Sequence, residues 1–256
     1  MLILSPSKGQ DFETRQPLKV HTEPLFLDKS MELIKLLRGY SVDELRELMQ
    51  ISEKIARLNV DRYQAFTLPF SMDNAKSAFF AFTGDVYQGI QAADYNDDDV
   101  AFAQKNVRIL SGLYGCLKPF DLIQPYRLEM KTKLTNQKGD TLYKFWGTQV
   151  AEAINEAALQ SEAPYLFNLA SNEYSKVIPK KSITVPFIDI VFQEEKEGKL
   201  RTVAVFAKRA RGTMANYIVQ NRVTTPEDIK AFDKNGYQYS AELSTDKRFV
   251  FTRPQP

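Results

Sequence analysis

One cysteine, Cys116, and one histidine, His21, in a chain of 256 residues constrain first how any fold must be held together. No disulfide can form within the chain. Zinc ribbons, c-type haem attachment, CxxC redox motifs and iron–sulfur ligation all need more cysteines than it has. Stability therefore rests on burying apolar side chains, and a chain of this length can enclose a sizeable core. With 43% hydrophobic and 26% charged residues, the composition suits that requirement. The same scarcity limits any Ser-His-Asp triad, Cys-His pair or imidazole metal site to these two side chains. One thiol fits a reducing compartment. Residues 1–9, MLILSPSKG, carry too few apolar side chains before Ser5 and Pro6 for a signal-peptide core or a membrane span. The expectation is a soluble, cytoplasmic protein.

The hydrophobic pattern divides the chain into a mostly helical first part and a strand-rich last part. Leu2-Ile3-Leu4 reads as a short buried strand leading into Ser5-Pro6-Ser7-Lys8-Gly9. Helices are predicted over about 27–38, from Ser41 (Ser41-Val42-Asp43-Glu44 matches a capping box) and from about Ser52. Asp73 would cap a further segment through Phe79. The acidic run Asp97-Asp98-Asp99 suits a helix N-terminus and predicts a helix continuing to about Leu110. Gly112, Gly115, Pro119 and Pro125 exclude a long element over 111–130. A helix over about 141–159 follows, then strands over 165–169, 183–192 and 200–207, with a hairpin turn at 195–199. Helices from Gly212 and Thr225 and a hairpin over 236–252 complete the chain. No repeat, low-complexity tract or linker interrupts it. The fold class expected is α/β (mixed α+β), a single domain over 1–256 with a mixed sheet flanked by helices.

Charge is distributed unevenly although the formal total is only +2. Residues 105–148 hold eight basic side chains against three acidic, and residues 176–222 hold ten against four. The remainder is acidic. A surface field follows local charge, so this pattern points to an anionic partner if folding brings the basic segments together.

Three segments carry candidate chemistry. In Arg108-Ile109-Leu110-Ser111-Gly112-Leu113-Tyr114-Gly115-Cys116-Leu117-Lys118 a helix would end at a glycine, followed by a turn with a second glycine three residues on. Exposed amides in such a turn make an anion-binding nest, and a plain helix C-cap at Gly112 is the alternative. In Pro125-Tyr126-Arg127-Leu128-Glu129-Met130 an extended backbone puts Arg127 and Glu129 on one face. Arg127 would then grip a phosphate or pair with Glu129 or Asp121. In Val203 to Thr213 a strand would run into the basic loop Lys208-Arg209-Ala210-Arg211 and a helix start, which favours anions; a solvated loop is the alternative. Tyr114 and Tyr126, beside cations, are candidates for stacking on bases. GxxxxGK[ST] is absent, which argues against a P-loop hydrolase. Asp94 and Asp97–Asp99 would hold a hard cation or cap a helix. Cys116 is either an inert core thiol or, lowered by Arg108 and Lys118, a redox sensor.

Taken in order, Leu2-Ile3-Leu4-Ser5-Pro6-Ser7-Lys8, Gly84-Asp85-Val86-Tyr87, Leu110-Ser111-Gly112-Leu113-Tyr114-Gly115, Pro125-Tyr126-Arg127-Leu128-Glu129-Met130, Phe145-Trp146-Gly147, Asn168-Leu169-Ala170-Ser171-Asn172-Glu173-Tyr174 and Ala207-Lys208-Arg209-Ala210-Arg211-Gly212 resemble the YaaA family of bacterial peroxide-stress proteins. Ser7 and Gly9 depart from that pattern. The resemblance covers essentially the whole chain. It implies a single α/β-type domain with a helix-hairpin-helix element, here at about 98–130, in a positively charged cleft. It also implies DNA binding without marked sequence preference and a role in limiting unincorporated iron and oxidative DNA damage. No cofactor is implied. The contacts with DNA would come from Lys8, Arg108, Ser111, Gly112, Tyr114, Gly115, Lys118, Tyr126, Arg127, Lys208 and Arg211. A rival reading is an enzyme acting on a nucleotide, nucleobase or other anionic small molecule. Its candidate polar set includes Ser5, Asp121, Glu129, Asn168, Ser171 and Glu173 beside the same cations, with Asp121 or Glu129 as general base.

Overall fold

A computed structural model describes residues 1–256. The chain opens on β1 (Leu2–Leu4), whose three side chains are all buried, as an inner strand covered on both faces requires. Three helices follow, α1 (Leu27–Leu37), α2 (Val42–Met49) and α3 (Glu53–Ala65). Ser41 and Glu44 exchange both bonds of the capping box, and Ser52 occupies the N-cap of α3. The segment after Asp73 is a turn leading to β2 (Lys76–Ser77) and the single-turn helix α4 (Ala78–Ala81), so Asp73 caps no helix. Next come α5 (Asp85–Ile90) and α6 (Asp97–Asn106), which starts in a second capping box between Asn96 and Asp99.

α6 stops at Asn106. Residues expected to continue it form β3 (Val107–Ser111), followed by β4 (Gly115–Leu117) and β5 (Leu122–Ile123). Val107, Ile109 and Leu110 looked like the last turn of an apolar stripe, but a strand buried on both faces shows no alternation to distinguish it. The helix expected over 141–159 is two helices, α7 (Leu142–Trp146) and α8 (Gln149–Gln160), separated where Gly147 takes a positive φ of 52°. β6 (Leu166–Asn168), α9 (Asn172–Ser175), β7 (Phe187–Lys196) and β8 (Lys199–Arg201) come next. The 200–207 strand ends at Arg201, and α10 (Ala204–Gln220) begins before the basic residues. Ala204, Ala207 and Ala210 recur at helical spacing, and the last two are buried. α11 (Pro226–Lys230), capped by Thr225, β9 (Gln238–Thr245) and β10 (Arg248–Pro254) finish the chain as expected.

The architecture is mixed α/β. An eight-stranded sheet runs β4-β3-β1-β6-β7-β10-β9, with β8 paired to β7 beside that path. β3, β1, β6, β7 and β10 are mutually parallel, and β4, β8 and β9 are antiparallel additions. β2 and β5 form a separate two-stranded sheet. No helix is long and apolar enough to cross a membrane.

Two details of this topology position the site. The chain leaves β1 toward β3 and leaves β6 toward β7, in opposite directions from two adjacent parallel strands. Such divergence opens a crevice beyond the carboxyl ends of the pair, where open parallel sheets bind ligands. The second detail is the crossing of α5 and α10, where the Cα of Gly89 lies 3.1 Å from the place a Gly212 Cβ would occupy.

The helix-hairpin-helix-like element at 98–130 does not form. β3 and β4 make an antiparallel β-hairpin with Ser111 opposite Gly115. A Cβ on Gly112 would overlap the Leu128 carbonyl oxygen, and Gly115, at φ +67°, lies against the Trp146 ring. The Trp146 indole donates to the Gly112 carbonyl at 3.0 Å. These glycines permit close packing and present no open nest. A helix–turn–helix pair exists earlier in the chain, where α2 and α3 are joined by Gln50-Ile51-Ser52, with Gln50 in the left-handed region at φ 52°.

Candidate anion-binding cleft

The crevice beyond β1 and β6 is a cavity of about 390 Å³. The two strand ends are tied together there. The Ser171 amide donates to Ser5 Oγ at 2.9 Å, the two hydroxyls are 3.2 Å apart, and the Tyr87 hydroxyl donates to the Ser5 carbonyl at 2.9 Å. Asn168 holds the turn after β6, accepting from the Ala170 amide at 2.9 Å and donating to Asp189 at 2.7 Å. The extended segment 125–130 forms another wall. Its Tyr126 amide donates to Gln10 at 3.1 Å, and the Tyr126 and Ser111 hydroxyls are 2.7 Å apart. Burial raises the pKa of both Tyr126 and Tyr174, so these phenols stay protonated.

Glu129 is the electrostatic centre of that wall. Its carboxylate meets Arg127 at 2.9 Å, Lys8 at 3.1 Å and Lys131 at 3.4 Å. Burial pushes its pKa up, but the hydrogen bonds and charges of Lys8 and Arg127 outweigh that and leave it below the ordinary value. Of the alternatives for Arg127, the ion pair with Glu129 is the one observed. Its Nη2 is used there, and its buried Nε has no acceptor.

On the opposite wall α10 contributes Lys208 and Arg211, three residues apart and so on one face. They sit within a helix and not in a loop at a helix start, so the strand–loop–helix anion site expected at 203–213 is replaced by a helix face. Neither makes an ion pair. The Arg211 Nε is buried without an acceptor, and desolvation lowers the guanidinium pKa.

A second recess, of about 420 Å³, shares Lys8, Arg127 and Glu129 with the first. It adds Lys131 and Lys133 and reaches Leu48, Met49 and Gln50 at the α2–α3 turn. Along the two, six cations face four carboxylates, Glu47, Asp85, Glu129 and Glu173.

The whole of this architecture lies within a recognisable family. Residues 1–243 match the family profile described as peroxide stress protein YaaA. UPF0246 proteins of Hahella chejuensis and Acaryochloris marina are 47% and 48% identical over 253 residues, covering 99% of this chain and 99% of each relative. One from Colwellia psychrerythraea is 45% identical over 255 residues, covering all of this chain and 99% of its own. The chain belongs to the peroxide stress protein YaaA family. Membership supports a stress-related role.

Of the residues expected in the site of a YaaA-family protein, Lys8, Tyr126, Arg127, Lys208 and Arg211 converge on the first cavity. Ser111, Gly112, Tyr114 and Gly115 are buried in the β-hairpin, and the Tyr114 hydroxyl accepts from the Gln124 amide at 3.0 Å. Arg108 is buried beside β1, with Nη1 donating to the Gln104 and Val107 carbonyls at 3.0 and 2.7 Å. Lys118 lines neither recess. Lys131 and Lys133 were absent from the expected set. Their signal was the same period of two, 127-129-131-133, that aligned Arg127 with Glu129.

Three other expectations are settled by packing. Asp121 is buried and accepts from Thr22 at 2.5 Å and from the Lys118 amide at 2.8 Å. Burial lifts its pKa to about 6, but it lies outside the cavity and is placed for no general-base role there. Asp99 of the acidic run caps α6 and pairs with Arg222 at 2.6 Å, and no three His, Cys, Asp or Glu side chains cluster as a metal site. Cys116 is buried in β4, where desolvation pushes its thiol up to about 12 despite Arg108 and Lys118. A sensor thiol needs the opposite shift. Native protein is therefore expected to resist a thiol-specific reagent such as Ellman's at pH 8, with one equivalent reacting promptly in denaturant. Prompt labelling of the native fold would return Cys116 to the list of sensor candidates.

Proposed function

We propose that the groove formed by these two recesses binds the phosphate backbone of DNA without marked sequence preference. The observation that carries this reading is the convergence of Lys8, Arg127, Lys131, Lys133, Lys208 and Arg211 on one continuous surface from three separated parts of the chain. Phosphate contacts by Lys and Arg supply the sequence-independent share of DNA affinity. The amides of Gly112 to Gly115 take no part, because they are enclosed. The groove borders the α2–α3 turn, which gives the backbone a second surface to follow. Occupying DNA in this way would shield it during peroxide stress, which is the family's context.

The test is a mobility-shift series over salt concentration. The logarithm of affinity should fall linearly with that of salt, by roughly 0.9 per neutralised phosphate on duplex DNA. Lys131→Ala, Lys133→Ala and Lys208→Ala should each weaken binding to all sequences alike and flatten the slope by about one contact. Substitution of an exposed lysine away from the groove, such as Lys105→Ala at the end of α6 beside the amino end of β3, should change neither. Equal slopes for wild type and all three groove variants would sink the assignment.

A further inference from the structure

We infer that the 390 Å³ cavity is a receptor for a single nucleotide unit, with its phosphate on Arg211 and Lys208 and its base in the recess walled by Tyr126 and Tyr174. This inference deepens the DNA reading above and rests on it only for where the nucleotide comes from.

A phosphate backbone on the outside of a strand needs a charged surface. It does not need a recess of this depth at the switch point of a parallel sheet. The volume lies in the range of cavities that take small organic ligands, about 300–1,000 Å³.

Arg211 gives the clearest indication of what the cavity takes. Four other sheltered guanidinium groups have acceptors. Arg127 meets Glu129, Arg222 meets Asp99, Arg38 donates to the carbonyls of Tyr63 and Phe66, and Arg108 to those of Gln104 and Val107. Arg211 has none, and its Nε–H is shielded from solvent. Leaving a buried donor unpaired is costly, so this position favours an anion placed against it. A phosphate accepts two parallel guanidinium bonds, and Lys208, one helical turn away with no ion pair, supplies a second charge.

The rest of the lining fits a base and sugar better than a second phosphate. Tyr126 and Tyr174 line the recess with aromatic rings, the Tyr126 hydroxyl being held by Ser111 behind the wall. Asp85 and Glu173, which form no ion pair, are acceptors suited to sugar hydroxyls and exocyclic amines. An anion grip on one wall and aromatic and carboxylate groups on the others match a nucleoside monophosphate. That unit can be a free mononucleotide, or one residue of a DNA strand turned out of its stack, which is easiest for single strands.

The experiment uses the full chain and has two arms. In the first, isothermal titration with each of the four deoxynucleoside monophosphates at up to millimolar concentration is run on wild type, Arg211→Ala and Arg211→Lys. Saturable binding is expected, weakened about tenfold in Arg211→Ala and by less in Arg211→Lys, with unchanged circular dichroism. In the second, a single-stranded oligonucleotide carrying 2-aminopurine is titrated with protein. A rise in fluorescence that Arg211→Ala abolishes assigns the pocket to a strand residue. No rise, with mononucleotide binding intact, assigns it to a free nucleotide. Absence of both signals, or binding equally strong in Arg211→Ala, overturns the inference. In that event the salt slopes of the Lys131 and Lys133 variants still report separately on the groove.

Discussion

Gly212→Ala is expected to lower the melting temperature by about 10 °C or prevent folding. In an isolated helix the change would be favourable, since alanine exceeds glycine in helix propensity by about 1 kcal/mol. Here the added methyl would overlap the Val86 carbonyl oxygen, with the Val86 carbonyl carbon at 2.8 Å and the Gly89 Cα at 3.1 Å. Those are backbone atoms of α5, so no side-chain rotamer relieves the contact and the two helices must separate. Overpacking costs about 1–3 kcal/mol where side chains can adjust, and more where they cannot. A net loss of about 3 kcal/mol corresponds to roughly 6–12 °C in a domain of this size. Gly198→Ala is the comparison. Its φ is +72° but nothing lies within 4 Å of the new methyl, so it should cost only about 1 kcal/mol. Thermal melts followed by circular dichroism decide. A Gly212→Ala melting point within 2 °C of wild type would mean that α5 and α10 are free to move apart, and the fixed placement of Arg211 would go with it.

That crossing also shows where reading the sequence succeeded and where it stopped. Elements with local signatures were legible. Ser41 with Glu44, Thr225 with Pro226 and Asp228, and the acidic run that opens α6 all mark helix starts through side chains that act within three residues of themselves. Elements decided by distant partners were not. Val107 to Ser111 is a strand because β1 lies beside it across about a hundred residues of chain, and the five residues carry no alternation to announce this. The early start of α10 was hidden the same way, because Val203-Ala204-Val205-Phe206 satisfies either a buried strand or a helix face.

The same division runs through the site. Arg127 and Glu129 were legible as a same-face pair from spacing alone, and the structure joins them at 2.9 Å. Basic charge in 105–148 and 176–222 was legible as a tendency, but which lysines meet depends on the sheet order, which places β6 beside β1 and so brings Ser171 to Ser5. The GxxG turn misled because glycine has two uses. It can expose amides to a ligand, or remove a side chain so that two backbones can touch. Gly112 and Gly115 serve the second, against Leu128 and Trp146.

Glu129→Gln is expected to raise affinity for DNA by about three- to tenfold and to steepen its salt dependence, while making the protein less stable. Lys8, Arg127 and Lys131 all spend part of their charge on this one carboxylate, so an arriving phosphate competes with it. Removing the negative charge adds one net positive charge to the groove and frees three donors. The stability cost comes chiefly from Arg127, whose side chain is 18% exposed beside a Glu129 side chain at 10%. Exchanging the charged acceptor of a sheltered guanidinium for a neutral amide oxygen costs about 1 kcal/mol. The pairs with Lys8 and Lys131, at 60% and 64% exposure, add little. The sign with pH is fixed by the lowered pKa of Glu129 in the fold. A carboxylate held below its unfolded value of 4.5 stabilises the protein above that pH and ceases to do so as pH falls through its folded value. The stability gap between wild type and Glu129→Gln should therefore be full at pH 7 and close progressively below pH 4.5. Denaturant titrations at pH 4 and 7 measure the gap, and mobility shifts at three salt concentrations measure the affinity. Weaker DNA binding by a folded Glu129→Gln protein would show that the carboxylate positions Arg127 for the backbone and does not compete with it.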